Sequence, residues 1–227
     1  MDFGKAFTFP FDDTDWARKL IIPALISLIP ILGQIFLIGW MLDIARRVIR
    51  RDPVPLPDLN FGEQLAEGFR GFVISLVYAI PVFILIAPIV ISSIAVTDPG
   101  VNQDAAATVV SVISLCCSGL MLLYSLVLWV VLPAAYTNAA VKESLGAGLN
   151  FREVFGLIKA APGPYLLALV GTLIGGVIAP LGSILCLVGV VLTYAYAMAV
   201  TGHLYGQAYR TATENQGLSD LPSSSLL

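Results

Sequence analysis

The sequence predicts an all-α fold: a polytopic bundle of transmembrane helices, with short amphipathic helices at the membrane surface. Three observations carry this. Of the 227 residues, 58% are hydrophobic and only 12% charged, about half the charge of an average soluble domain. Mean hydropathy is +0.89. The charges are also segregated, leaving four long runs with none of Asp, Glu, Lys or Arg. Apolar surface in such excess needs lipid as its solvent. In lipid every backbone polar group must be paired within its own segment, so spanning runs become helices.

The runs cover residues 20–42, 71–97, 105–141 and 160–209. A bilayer core about 30 Å thick needs roughly 20 helical residues. The middle two suit one pass each. The fourth is too long for one helix and is expected to fold back at Pro180-Leu181-Gly182, giving helices over 164–179 and 183–205. The first has the length of a single pass, yet Pro30 and Gly33 allow a fold-back. Charge favours the fold-back. The basic residues lie at Lys5, Arg18 and Lys19, at Arg46 to Arg70, at Lys142 to Lys159 and at Arg210, while the turns at 98–104 and at Pro180 have none. With the fold-back all twelve bases share one side, which the positive-inside rule makes cytoplasmic, with four crossings; a single pass would give five.

Acidic residues at 2, 12, 13 and 15 spoil a secretory signal, so the start is expected to be retained. Residues 1–209 read as one membrane-embedded domain, and the polar, Ser-rich stretch 210–227 as a disordered tail. A weak repeat runs through the polar connections. Asp2-Phe3-Gly4-Lys5-Ala6-Phe7, Asn60-Phe61-Gly62-Glu63-Gln64-Leu65 and Asn150-Phe151-Arg152-Glu153-Val154-Phe155 each open with a good N-cap residue and precede an apolar run. The second and third add a Glu three residues on, as a capping box does. Segments 61–69 and 151–158 are therefore expected as short interfacial helices, anchored by Phe61, Phe151 and Phe155.

The opening Met1-Asp2-Phe3-Gly4-Lys5-Ala6-Phe7 with Pro10-Phe11-Asp12-Asp13-Thr14-Asp15-Trp16, the run Leu28-Ile29-Pro30-Ile31-Leu32-Gly33, Arg46-Arg47-Val48-Ile49, and Leu56-Pro57-Asp58 ahead of Phe61-Gly62-Glu63 resemble an archaeal and bacterial family known as domain of unknown function 4013. The resemblance is strongest over about residues 1–75 and rests mainly on hydropathy as far as Tyr209. It implies a polytopic membrane protein and brings no activity and no catalytic residues.

Chemistry-bearing groups are sparse. No ionisable carboxylate or base interrupts a spanning run, which lowers the prospect of a proton-coupled carrier built on a buried carboxylate. His203 has no second histidine to share a metal, and reads as a satisfied interfacial residue. Ser118 beside Gly119, with His203 far along the chain, is too common a pairing to mark a protease. Cys116, Cys117 and Cys186 read as buried small hydrophobes. No cofactor or metal and no catalysis are expected, and scattered bases at net charge −3 argue against nucleic acid.

Packing signals are clearer. Gly171 and Gly175 form a G-x-x-x-G, and Ala195, Ala199, Gly202 and Gly206 form a stripe; the two are expected to pack against each other. Pro81 and Pro88 share a face of the second run and should bend it. Asp43 should pair with Arg46 or Arg47, and Arg46, Arg47, Arg50 and Arg51 read as a cytoplasmic anchor at anionic headgroups. The expected function is a non-enzymatic scaffold or assembly component of the cell membrane, multi-pass, with the lipid bilayer and other membrane proteins as partners. The alternative is a channel- or transporter-like passage for a small solute or lipid.

Overall fold

The computed structural model describes residues 1–96 and 102–217, which form helices and turns, with no strand among them. The helices are α1 (Lys5–Thr8), α2 (Trp16–Ile26), α3 (Leu32–Arg50), α4 (Phe61–Ala95), α5 (Gln103–Val141), α6 (Leu145–Leu149), α7 (Phe151–Ala160), α8 (Pro162–Leu181) and α9 (Cys186–Asn215), with 3-10 turns at Phe9–Asp12 and Gly182–Leu185. Three stretches, Phe61–Ile94, Gln103–Val141 and Pro162–Leu181, are long and apolar enough to cross a membrane. The chain divides into two compact units. Unit one holds residues 1–74 and 130–227, and unit two is Ser75–Trp129. The expected turn at 98–104 falls largely outside the described residues, as does the chain from 218 onward.

The first apolar run is two helices. Pro30 lacks a donor and disfavours helix at Ile29. Ile31 takes φ 65, and Gly33 sits where a Cβ would strike the Ile26 carbonyl and the Ser27 backbone. Near the start of α2, Lys19 Nζ bonds the Leu56 carbonyl at 3.3 Å and pairs with Asp58 at 3.3 Å, residues that follow α3. The run therefore turns back on itself, and the single-pass alternative falls. The fourth run also folds back, a few residues later than expected: Pro180 stays inside α8, and the chain turns at Gly182, where any side chain would meet the Gly189 backbone.

Two expectations are corrected. Segment 61–69 is no separate interfacial helix, because α4 runs unbroken from Phe61 to Ala95. No proline or glycine-driven stop separates its polar first turns from the apolar ones. Segment 151–158 does form a helix of its own, α7, closed by the non-helical Ala161. The disordered tail expected from Arg210 is helical to Asn215, since Ala212 is buried and Asn215 Nδ2 bonds the Ala160 carbonyl at 2.8 Å.

The core of unit one follows from the apolar stripe of α3. Phe36, Leu37, Trp40, Ile44 and Val48 recur at helical spacing and pack with Phe9, Leu20, Leu56 and Ala199. Two glycines bring α3 and α4 into backbone contact. A Cβ on Gly39 would meet the Gln64 carbonyl, and one on Gly68 the Ile35 carbonyl. α3 also runs alongside α9 in the same direction. Gln34 is beside Tyr194, Met41 beside Gly202, Ala45 beside Gly206 and Val48 beside Arg210.

That register redirects the small-residue stripe. Gly175 does face α9, its Cβ position 3.4 Å from Ala197 Cβ, and Gly171 faces Leu204 and Phe3. Gly202 and Gly206 instead lie against the Met41 and Ala45 carbonyls of α3, and Ala199 joins the α3 core. Ala195 is fully buried. Small residues on two faces of α9 let it approach two neighbours. Gly175→Leu is expected to wedge α8 from α9 and lower the detergent melting temperature, by an overpacking cost of about 1–3 kcal/mol; a thermal shift assay checks this.

In unit two, Tyr124 donates to the Tyr78 carbonyl at 2.8 Å, setting α4 and α5 side by side. Phe83, Ile84, Ile91, Leu115 and Leu122 are exposed there. Cys116 is exposed and Cys117 half-buried, so neither is the enclosed residue expected; both are free thiols.

Candidate functional site

The polar chemistry of unit one gathers where α3, α5 and α9 end. On each helix one polar side chain of the last turns bonds the opening of an amphipathic segment. Asp43 on α3 accepts from Gln64 Nε2 at 3.2 Å. Gln64 is buried and also bonds the Asp58 carbonyl at 3.0 Å and the Asn60 N–H at 3.2 Å, so Asp43 holds the first turn of α4. Asn138 on α5 donates to Glu153 Oε2 at 2.9 Å and to the Ala147 carbonyl at 2.8 Å, holding the start of α7. Asn150 caps that helix at the Glu153 N–H. Gln207 on α9 accepts from the Asp2 N–H at 2.7 Å and donates to the Asp2 carbonyl at 2.9 Å, while Asp2 Oδ1 receives the Lys5 N–H at 3.0 Å.

The three sequence repeats are thus clasped in cyclic order: the first hairpin holds the second segment, the second holds the third, and the third returns to hold the first. The helix ends are tied to one another as well. Tyr209 donates to Asn138 Oδ1 at 3.4 Å, Arg210 Nη1 to the Val48 carbonyl at 3.4 Å, and Arg46 Nη1 to Glu143 at 3.3 Å.

Several of the arginines expected at headgroups also pair within the protein. Arg46 pairs with the buried Glu67 at 3.3 Å, and Arg70 joins the same carboxylate at 2.8 Å. Arg47 lies 3.5 Å from Asp43, the local pair expected from their spacing, and Arg51 is 2.8 Å from Glu214. Three of the four are engaged within the protein, because acids on α4, α9 and α3 itself come within reach; Arg50 is exposed. Phe61 stacks on Phe36, ring centres 5.4 Å apart, while Phe151 and Phe155 are exposed.

Electrostatics reinforce the clasps. The Lys142 ammonium, 2.6 Å away, and then the Asn138 amide hold the Glu153 carboxyl below its ordinary range. Burial pushes the Asp13 carboxyl up, but Lys19 and the Asp15 N–H outweigh it, leaving the group lowered. His203 is buried and stacked on Phe9, with centroids 4.4 Å apart. Its Nδ1 lies 2.9 Å from Gln207 Nε2. The Asp2 N–H fixes which end of that amide is oxygen, so Nδ1 must accept and the ring proton sits on Nε2. His203 lines a cavity of about 250 Å³ with Lys5, Asp52 and Arg210. Ser118 belongs to unit two, and the hydrogen bond of His203 among the described residues goes to Gln207. Among those residues no three His, Cys, Asp or Glu side chains gather as metal ligands.

A family model described as "Protein of unknown function (DUF4013)" matches residues 22–202. The chain belongs to the DUF4013 family. The match spans Asp43, Gln64, Asn138 and Glu153, and so two of the clasps; Asp2 and Gln207, which close the ring, lie outside it. The Asp2-to-Trp16 opening that carried part of the resemblance also lies outside the matched residues. No curated protein and no solved structure matches the chain.

Sequence reasoning missed Gln64, Asn138, Gln207, Gly39 and Gly68. The signal was present: Asn138 and Gln207 are amides in otherwise apolar runs. A neutral amide there must find partners as a charge must, but attention to ionisable groups alone passes over it.

Proposed function

We propose that this DUF4013 protein is a multi-pass protein of the cell membrane that works without catalysis, as a scaffold on which other membrane components assemble. The cyclic clasp is the observation that supports this. It joins three hairpins at one end with amides and carboxylates whose hydrogen-bonding capacity is largely used internally. Around that end, Arg18, Arg50, Glu63, Arg152 and Lys159 are exposed and available to partners. Helix ends tied to one another by polar side chains, with charged residues left exposed beside them, suit assembly.

The fold-back of α2 on α3 puts all twelve bases on the side of the clasps, which we assign to the cytoplasm with both termini. Tags at Met1 and Leu227, probed in intact and opened cells, are expected to report the same side; opposite sides would overturn the assignment. For the function, photo-crosslinkers at Arg50 and Glu63 in native membranes should give one discrete adduct in fixed ratio to the protein. Purified protein in vesicles should pass neither small ions nor labelled lipids above empty vesicles. Flux that depends on the protein would replace the scaffold with a passage.

A further inference from the structure

The hairpin of α2 and α3 is unlike the other two in depth. α2 has 11 residues, about 16 Å of helix, and although α3 has 19 its uncharged part ends at Leu42, a similar length; α8 has 20 residues, about 30 Å, without a charge. The entry of the hairpin is marked by Phe11 and Trp16, whose exposed rings contact edge-on at 5.1 Å, and by the exposed Asp12, Asp15 and Arg18. Aromatic rings beside charges are what a membrane interface selects. From there the hairpin covers about half of a 30 Å hydrocarbon core before it turns.

The register with α9 points the same way. Tyr194 donates to Gln34 at 3.0 Å. α3 begins two residues before Gln34, whereas α9 begins eight residues before Tyr194. α9 therefore continues about 9 Å past the start of α3.

The turn is made for hydrocarbon. Leu25, Leu28, Ile29, Ile31 and Leu32 are all exposed, Ile31 at 70%, and no charged residue lies between Lys19 and Asp43. An exposed apolar tip in water would be costly, and unpaired N–H groups in lipid more so. Here most of the N–H groups are paired, that of Leu32 with the Pro30 carbonyl at 2.7 Å among them; the Ile31 N–H, at the apex, has no such bond among the described residues. Ser27 bonds the Pro23 carbonyl at 3.0 Å, Leu28 the Leu25 carbonyl at 3.2 Å, Ile29 the Ile26 carbonyl at 3.0 Å and Gly33 the Ile29 carbonyl at 2.9 Å. Pro30 has no N–H to pair, and Ser27 Oγ is satisfied by the Ala24 carbonyl at 2.6 Å. A tip emerging at the far surface would instead need charged or interfacial aromatic residues, and this one has none; of its two polar side chains, Ser27 bonds the Ala24 carbonyl, and Gln34 bonds the Ser27 carbonyl and the Tyr194 hydroxyl.

We infer that the α2–α3 hairpin is a one-leaflet wedge: it inserts among the acyl chains on the side of the clasps and ends in the middle of the bilayer. Its volume expands that leaflet alone, which favours membrane convex toward the clasp side. The inference rests on the membrane reading proposed above, and the test separates the two.

Nitroxides are placed singly at Ile29, at Leu173 on α8 and at Ser183 beyond α8, with Cys116, Cys117 and Cys186 changed to serine. The protein is reconstituted in phosphatidylcholine–phosphatidylglycerol vesicles. The ratio of accessibility to oxygen over a water-soluble nickel chelate is expected to be highest at Ile29, high at Leu173 and low at Ser183. Chelate reaching Ile29 as readily as Ser183 would place the tip at the far surface or outside and overturn the wedge. Chelate reaching Leu173 as well would overturn the membrane reading itself. A label at Leu28 replaces Ile29 should that variant not fold.

Discussion

Gly39→Ala is expected to destabilise the protein more than any other single-methyl change in α3 or α4. At this crossing there is no side chain to move aside: the added carbon would collide with the Gln64 carbonyl and come within 2.7 Å of the Gly68 nitrogen. The two backbones must separate, and the Phe36–Phe61 stack and the Gln64 clasp lie in the same contact. Overpacking costs about 1–3 kcal/mol where side chains can adjust, and a backbone clash belongs at or above the top of that range. For a chain of this size about 3 kcal/mol corresponds to roughly 10 °C in melting temperature. Gly68→Ala should behave alike. Gly62→Ala, one turn and a half earlier on α4, adds a carbon with nothing within 4 Å and should leave the melting temperature unchanged. Equal tolerance at Gly39 and Gly62 would mean that α3 and α4 do not cross there.

Asn138→Leu is expected to release the start of α7. The amide serves the Ala147 carbonyl, Glu153 and Tyr209 together; leucine leaves all three without that partner, a loss of about 1–3 kcal/mol for the buried groups. The clasp also has a pH signature. Glu153 is held below its ordinary value, near 4.5, by Lys142 and Asn138. A group lowered in the folded state binds its proton more readily when unfolded, so its contribution is fully present above about pH 4.5 and is lost as pH falls through the lower folded value. The melting temperature of the native protein should therefore fall more steeply below pH 4.5 than that of Glu153→Gln. Asn138→Leu should remove part of the difference. Parallel profiles for the native protein and Glu153→Gln would show that the carboxylate contributes nothing to the clasp.

The sequence alone determined that the chain is helical with stretches long and apolar enough to cross a membrane, because these depend on composition and on unbroken apolar length, both local properties. It also determined the N-cap of α7 at Asn150 and, within a few residues, the fold-back near Gly182, because capping and glycine chemistry act locally along the chain. The first run was open at that level. A 23-residue apolar stretch is the same string whether it spans or turns, and the decision came from Lys19 meeting Leu56 and Asp58 across the hairpin. The faces of α9 were likewise undecided. Gly202 and Gly206 advertise a close approach, but only the register with Met41 and Ala45 names the neighbour. The arginines from Arg46 to Arg51 read as lipid anchors because their acidic partners, Glu67, Glu143 and Glu214, are 21 to 163 positions away. The clasps are the fullest case. Asp43, Asn138 and Gln207 each announce a need for partners, but they form a ring because tertiary packing sets each beside the opening of another segment.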